Sequence, residues 1–530
     1  MKVTYNLVDE SWIPCMTQDG IFSKRSLRDV LLSAHEIREI HAELPPMTAS
    51  LLMLLLAVLY RSLHPQTEED WQVCLNQGFF DPQKINAYLD EWHHRFDLFD
   101  TEHPFYQDPL IGKRPKDIQN LKGNQVEPKS VNGLLLHSSN GDGATLFDHS
   151  TDEQNVSFTL DQMTRLLLMI QGFSLGGMAL ASISSDKFYK DSPHSRGVVF
   201  FLRGQTLFET LLLNLIAKDE LPEKFTRTNK DKPAWEMEDA LANERDIPQG
   251  ITDFLTWQSR RICLLPAELE NRLTIKELYS APGLSISDSF ENPFYNITYD
   301  ISKSKREKHL LRFSESKALW RDSRAILESH DESKHPPAAL HWINILKTFR
   351  NLDYQINMLA YGLCSEPGQK KAYFYREESF SYPLDYLHSQ TLRDALTQYL
   401  TICQNVKSQL WGALSQMAGL ILAPAMDQSE GRKADPKDIQ NLINHWDTEA
   451  TFWKMLENPF YHLVNTLPQN QVEALHTWQQ TIRNAALAAF DQAITLSGNN
   501  VKALKAGSKA RRQLLAGIKK VLIPDEKEDE

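Results

Sequence analysis

Apolar residues along the chain gather into several helical stretches and a few short extended ones. The greasiest run, Met47 to Tyr60 (MTASLLMLLLAVLY), follows Pro45-Pro46 and is shorter than the roughly 20 residues that span a bilayer. It predicts a buried core helix over Met47–Leu63. A second apolar helix is expected over Leu160–Phe173, and strands over Tyr5–Ile13 and Val198–Leu202 (VVFFL). Between Gly112 and Asn140, Lys, Asn and Gly prevail with little periodicity, the texture of an extended surface loop. After Gly172 the sequence GFSLGGMALASISSDKFYKDSPHSRG reads as flexible.

The texture changes near Thr391. Helical segments are drawn over Thr391–Leu422, Asp435–Leu467, Gln469–Thr495 and Asn500–Leu522, the first with a stripe of Leu392, Leu396, Leu400 and Val406. Pro424, Pro468 and Gly498 punctuate them. Four long helices with short connections predict an antiparallel bundle. The expected fold is therefore α+β, a large mixed α/β N-terminal domain (1–385) followed by a C-terminal four-helix bundle (386–530). The acidic end, Asp525–Glu530, is expected to be disordered.

Composition adds limits. With 530 residues, 42% hydrophobic and 24% charged, the chain suits a soluble protein of about two to four domains. A net charge of −12 argues against a body coated in phosphate-binding cations, though not against a local basic patch. Cys15, Cys74, Cys263, Cys364 and Cys403 are odd in number and hold no C-x-x-C pair, which points away from zinc and disulfides. The first residues lack a signal-peptide core. A reduced, cytoplasmic chain without membrane contact is expected.

Catalytic patterns are missing: no P-loop, no H-E-x-x-H, no G-x-S-x-G and no dinucleotide fingerprint. His330-Asp331 has the chemistry of a metal-dependent phosphohydrolase but lies in the hydrophilic run ILESHDESKHPP, the texture of a solvated loop. His93-His94 with Asp97 offers metal-ligand types, yet adjacent helical residues point apart and cannot easily share one ion. No catalytic residue, metal or other cofactor is assigned. The last helix is different. Lys502, Lys505, Lys509, Arg511, Arg512, Lys519 and Lys520 follow one another with no acidic residue between Asn500 and Lys520. Such a cluster on an acidic protein suits a nucleic-acid path, and equally a solvated face that favours the helix C-terminus.

Several dispersed segments carry a resemblance. Asn6-Leu7-Val8-Asp9-Glu10-Ser11-Trp12-Ile13-Pro14, Glu102-His103-Pro104-Phe105, Leu146-Phe147-Asp148-His149, Gly172-Phe173-Ser174-Leu175-Gly176-Gly177, Tyr361-Gly362 with Gln369–Glu378, and Phe452-Trp453 with Glu457-Asn458-Pro459-Phe460-Tyr461 occur in order over nearly the whole chain. Together they resemble the CasA-type large subunit of the type I-E CRISPR surveillance complex, Cascade.

The resemblance implies a non-catalytic subunit that detects the protospacer-adjacent motif (PAM) in double-stranded DNA, helps open it and recruits a helicase-nuclease. Partners would be the backbone, small and handle-binding subunits with their guide RNA, which reads the target by base pairing. A purely structural scaffold is the alternative, and a metal-dependent nuclease a remoter one. The resemblance places Phe147, Asp148 and His149 on a loop that reaches the PAM through the minor groove, where readout is degenerate. The same residues fit a core phenylalanine and a capping aspartate. Gly176 and Gly177 would let backbone approach DNA, or simply cap the preceding helix. Lys187, Lys190, His194 and Arg196 would meet phosphates, or form a solvated basic loop. Gln369, Lys370 and Lys371 would form a wedge against the duplex, with either Gln369 or Lys371 at its tip. Lys505, Lys509, Arg511 and Arg512 would line a path for nucleic acid.

Two departures stand out. The chain lacks the cysteine cluster of some relatives. Its segment Ser285–Phe294 also holds no lysine where some members place a PAM contact.

Overall fold

A computed structural model describes residues 3–63, 65–113, 128–131, 157–178, 188–226, 230–241, 245–300, 306–328, 332–346, 355–365, 372–423 and 434–522. Contacts divide the chain into two compact units. The first holds residues 1–318, 329–352 and 356–380. The second holds 319–328, 353–355 and 381–530.

The first unit is built around the helix Pro45–Ser62, whose residues Pro46 to Tyr60 are all buried. A helix apolar on every side has no solvent face and must be enclosed. It is enclosed by the helices Leu160–Phe173, Pro82–Trp92, Ile251–Leu255 and Leu207–Asn214. On Leu160–Phe173 the side chain of Arg165 is buried and satisfied by Glu43, Asp161 and the carbonyl of Trp12. Charge is tolerated there because every donor group finds an acceptor.

Three sheets frame this core. Ile13–Thr17 lies between Phe22–Arg25 and Ile37–Ile40, antiparallel to both. The strands Arg260–Leu269 and Arg272–Pro282 form a long hairpin, and the second also pairs with Lys129–Ser130 and Phe158–Thr159. Its turn residues, Glu270 and Asn271, both have positive φ (51° and 62°), as a two-residue turn matched to strand twist requires. Val199–Arg203 pairs antiparallel with Gln355–Ser365, which is followed in the sheet by Ala372–Pro383.

Two expectations are corrected here. The strand over Tyr5–Ile13 is instead a turn that leads into the strand Ile13–Thr17. The Asn6 side chain accepts the Val8 N–H at 3.0 Å and donates to the His93 carbonyl at 2.9 Å, bending the chain before a ladder can form. The stretch after Gly172 is not simply flexible. Ser192, His194 and Ser195 are buried, and Gly177–Met178 pairs with Phe188–Tyr189 in a short antiparallel ladder.

The second unit is helical. Its first arm, Gln390–Leu422, is capped by Ser389; the third, Gln471–Leu496, by Asn470; the fourth is Val501–Leu522. The second arm, expected as one helix, is two: Pro436–Trp446 and Thr448–Thr466. Between them Asp447 takes a left-handed conformation (φ 48°), which ends one helix and starts the next. Residues 319–328 join this unit through Trp320, whose ring lies 4.6 Å from Phe460 and 5.8 Å from Trp453.

Candidate nucleic-acid interface

The glycine segment is positioned by the helix Leu160–Phe173. A reciprocal cap between Thr159 and Gln162 starts it, and Ser174, in extended conformation, ends it. The helix therefore closes without a left-handed glycine, so Gly176 and Gly177 are not its cap. Gly176 is needed for close packing: a Cβ there would stand 2.9 Å from the Tyr189 carbonyl oxygen. Its N–H donates to Asp191 Oδ1 at 2.6 Å. Gly177 differs, because nothing lies within 4 Å of where its Cβ would be. A side chain there would meet no neighbour, although the residue is half-buried and its backbone pairs with Tyr189.

The opposite strand is anchored by Tyr189. Its hydroxyl donates to the Ser280 carbonyl at 3.2 Å, and the Arg260 guanidinium lies 4.8 Å from the ring centroid. Arg260 in turn donates to the carbonyls of Ser259 and Leu175 at 2.9 and 3.1 Å. Burial lowers its pKa to about 10.

Lys190 is exposed on this hairpin. Arg196 is engaged: Nε donates to Asp191 Oδ2 at 2.9 Å, and a second nitrogen pairs with Asp288. His194, expected near phosphate, is enclosed by the rings of Phe173, Phe254 and Phe294 and within 3.0 Å of the Asn292 side-chain amide. Desolvation lowers its pKa to about 3, so it is neutral. It is a core residue. Phe147, Asp148, His149, Lys187, Gln369, Lys370 and Lys371 lie outside the described residues.

The lysine-free segment Ser285–Phe294 receives cations from elsewhere, which sequence reading missed. Lys308 Nζ donates to the Phe290 carbonyl at 2.8 Å, and Lys224 Nζ to the Glu291 carbonyl at 2.6 Å. Desolvation, opposed by Glu291, lowers the Lys224 pKa to about 8. Beside them a cleft of about 310 Å³ is lined by Arg196, Lys308, Arg312, Phe254 and Phe290. Only tertiary placement reveals it.

On the last helix, Ala503, Ala506, Gly507, Ala510, Leu514 and Ile518 form the buried face. Lys502, Lys505, Lys509, Arg512, Lys519 and Lys520 are exposed along about 27 Å of helix. The series is not wholly without local partners. Arg511 pairs with Asp491, and Lys502 donates to the Ala423 carbonyl.

The metal-ligand types near the N-terminus diverge as expected. His93 Nε2 lies 2.6 Å from Asp9 Oδ2, whereas the His94 ring stacks on Trp92. His330-Asp331 lies outside the described residues. Among the described residues one cluster, Asp300, Glu307 and His309, brings ligand atoms within 4.8 Å of one another on an exposed hairpin.

Among the described residues, several motifs behind the resemblance are structural. Leu7 N–H donates to the Phe96 carbonyl, and Trp12 Nε1 to the Leu7 carbonyl. Phe105 stacks on Phe96 at 5.3 Å. A Cβ on Gly362 would stand 3.2 Å from the Gly197 carbonyl oxygen.

Comparison with known proteins agrees with this fold. Residues 6–489 match the family described as CRISPR-associated protein Cse1. The CRISPR-associated protein CasA/Cse1 of Thermus thermophilus is 28% identical over 516 residues, 95% of each chain. A crystal structure of CasA from Thermus thermophilus superposes with a TM-score of 0.77 at 25% identity, covering 97% of this chain and 99% of that one. Cse1 from Acidimicrobium ferrooxidans gives 0.80 at 19% identity, over 98% and 99%. A chain of a CRISPR RNA-guided surveillance complex gives 0.74 at 18% identity, over 97% and 99%. With the match running through both units, this chain belongs to the Cse1/CasA family of CRISPR-associated proteins.

Proposed function

We propose that this chain is the large subunit of a Cascade-type, RNA-guided surveillance complex. In that setting it recognises the PAM of double-stranded DNA through the minor groove, helps unwind the target for R-loop formation and recruits the helicase-nuclease, without catalysing a reaction itself. Family membership supports the setting. The observation that carries the DNA-reading role is the open space beside Gly177 on a hairpin anchored by Tyr189 and Asp191. A rigid, uncluttered backbone suits close approach to a groove floor. Phe147, Asp148 and His149, with Gln369, Lys370 and Lys371, are assigned to PAM contact and strand displacement through the family resemblance. The basic face of the last helix is assigned to a nucleic-acid path.

A scaffold that never touches DNA is the second reading. It draws on His194, which is buried in the core, and on Arg196, whose guanidinium is engaged by Asp191 and Asp288.

Binding of a randomised-PAM duplex library to the reconstituted complex, with and without this chain, separates the two. Enrichment of a short PAM set that vanishes without the chain supports the reader. Equal, PAM-independent binding in both samples leaves the scaffold. DNA cleavage by the isolated chain with Mg²⁺ or Mn²⁺ would overturn both in favour of a nuclease.

A further inference from the structure

The glycine hairpin presents an exposed aromatic side chain, Phe188. Side chains alternate along a strand. Tyr189 reaches into the protein, whereas Phe188 before it and Lys190 after it are both exposed. Phe188 keeps 52% of its surface in solvent. It stands opposite Met178 in the ladder, one residue from the Gly177–Tyr189 pair. A benzyl group and an ammonium two residues apart in the chain are separated at their roots by at most about 7 Å.

The base of this hairpin is braced. Asp191 accepts the Gly176 N–H through Oδ1 and the Arg196 guanidinium through Oδ2, and Arg196 also pairs with Asp288. Tyr189 is held between Ser280 and Arg260. A side chain that must push into a stacked duplex needs such support, since a loosely held one would fold back instead.

We infer that Phe188 is an apolar wedge that inserts at a base step of target DNA beside the glycines, while Lys190 holds the neighbouring phosphate. Minor-groove proteins commonly unstack a step with one apolar side chain. The inference rests on the reading of this hairpin as a groove contact and adds a second point of insertion to the segment Gln369–Lys371. It involves no covalent chemistry.

The test uses the reconstituted complex and PAM duplexes carrying 2-aminopurine, whose fluorescence rises on unstacking, at successive steps beside the PAM. The wild-type complex raises the signal at one step. Phe188→Ala abolishes that rise and weakens duplex binding about tenfold, whereas Phe188→Trp retains both. A duplex with a preformed mismatch at that step restores Phe188→Ala to near wild-type affinity, because the unstacking cost is gone. That rescue is an effect a folding defect would not produce. Lys190→Ala weakens intact and mismatched duplexes alike and lowers the salt slope by about 0.9.

Wild-type fluorescence and affinity in Phe188→Ala, in a complex that still discriminates PAM, would overturn the wedge alone. Loss of PAM discrimination in the wild-type complex itself would overturn the reader role and the wedge with it.

Discussion

The Arg260 guanidinium lies over the Tyr189 ring, 4.8 Å from its centroid, and so fastens the glycine hairpin to the long hairpin of the neighbouring sheet. A desolvated cation–ring contact is worth about 2 kcal/mol and the Tyr189 hydroxyl bond about 1 kcal/mol. Tyr189→Phe should therefore lower unfolding stability by about 1 kcal/mol, and Tyr189→Leu by about 3 kcal/mol. Denaturant unfolding measures both. A Tyr189→Leu protein with the wild-type midpoint would show that the contact anchors nothing.

Adjacent glycines should respond differently to one methyl group. At Gly176 a Cβ meets the Tyr189 carbonyl, so Gly176→Ala should cost about 1–3 kcal/mol of stability. At Gly177 the methyl enters open space, and Gly177→Ala should fold within about 0.5 kcal/mol of the wild type. DNA binding by the assembled complex should nevertheless fall for Gly177→Ala. Stable folding together with unimpaired DNA binding would remove Gly177 from the interface.

His194 makes stability depend on pH. Its unfolded-state pKa is about 6.5 and burial lowers the folded value to about 3. Between those values the unfolded chain holds the extra proton, so stability is present above pH 6.5 and is lost as pH falls. The slope contributed by this group approaches about 1.4 kcal/mol per pH unit. Urea midpoints from pH 8 to pH 5 should fall more steeply for the wild type than for His194→Gln. Parallel curves would assign the acid sensitivity to carboxylates instead.

The basic face of the last helix is tested by salt. Lys505→Ala, Lys509→Ala and Arg512→Ala each replace an exposed cation with a strong helix former, so the fold should hold. For duplex DNA, the slope of log K against log salt should shrink by about 0.9 per contact removed. A triple variant with an unchanged slope would identify this stripe as a solvated surface.

Much of the fold is written in local pattern. A mostly apolar run preceded by two prolines became the core helix Pro45–Ser62, and polar–apolar periodicity located the bundle arms. The break at Asp447 escaped notice because neither proline nor glycine marks it; the aspartate itself adopts the left-handed conformation. The interface was less legible. His194 and Lys190 belong to one hydrophilic-looking stretch, yet rings from Phe254 and Phe294 enclose the first and leave the second exposed. Likewise, no local rule announces that Lys308 will cap the carbonyl of Phe290. Motif recognition succeeded for a different reason: residues such as Trp12, Phe105 and Gly362 are fixed by packing, and packing identifies a family without revealing what its surface binds.

Trp320 precedes the long helices in the chain but packs with the late residues Trp453 and Phe460. The helical unit is thus assembled from discontinuous stretches of gene. A single recombination event near residue 381 would transplant the long helices while leaving their tryptophan behind. Exchange of this unit between lineages therefore requires coordinated crossovers, and the two units should share one evolutionary history.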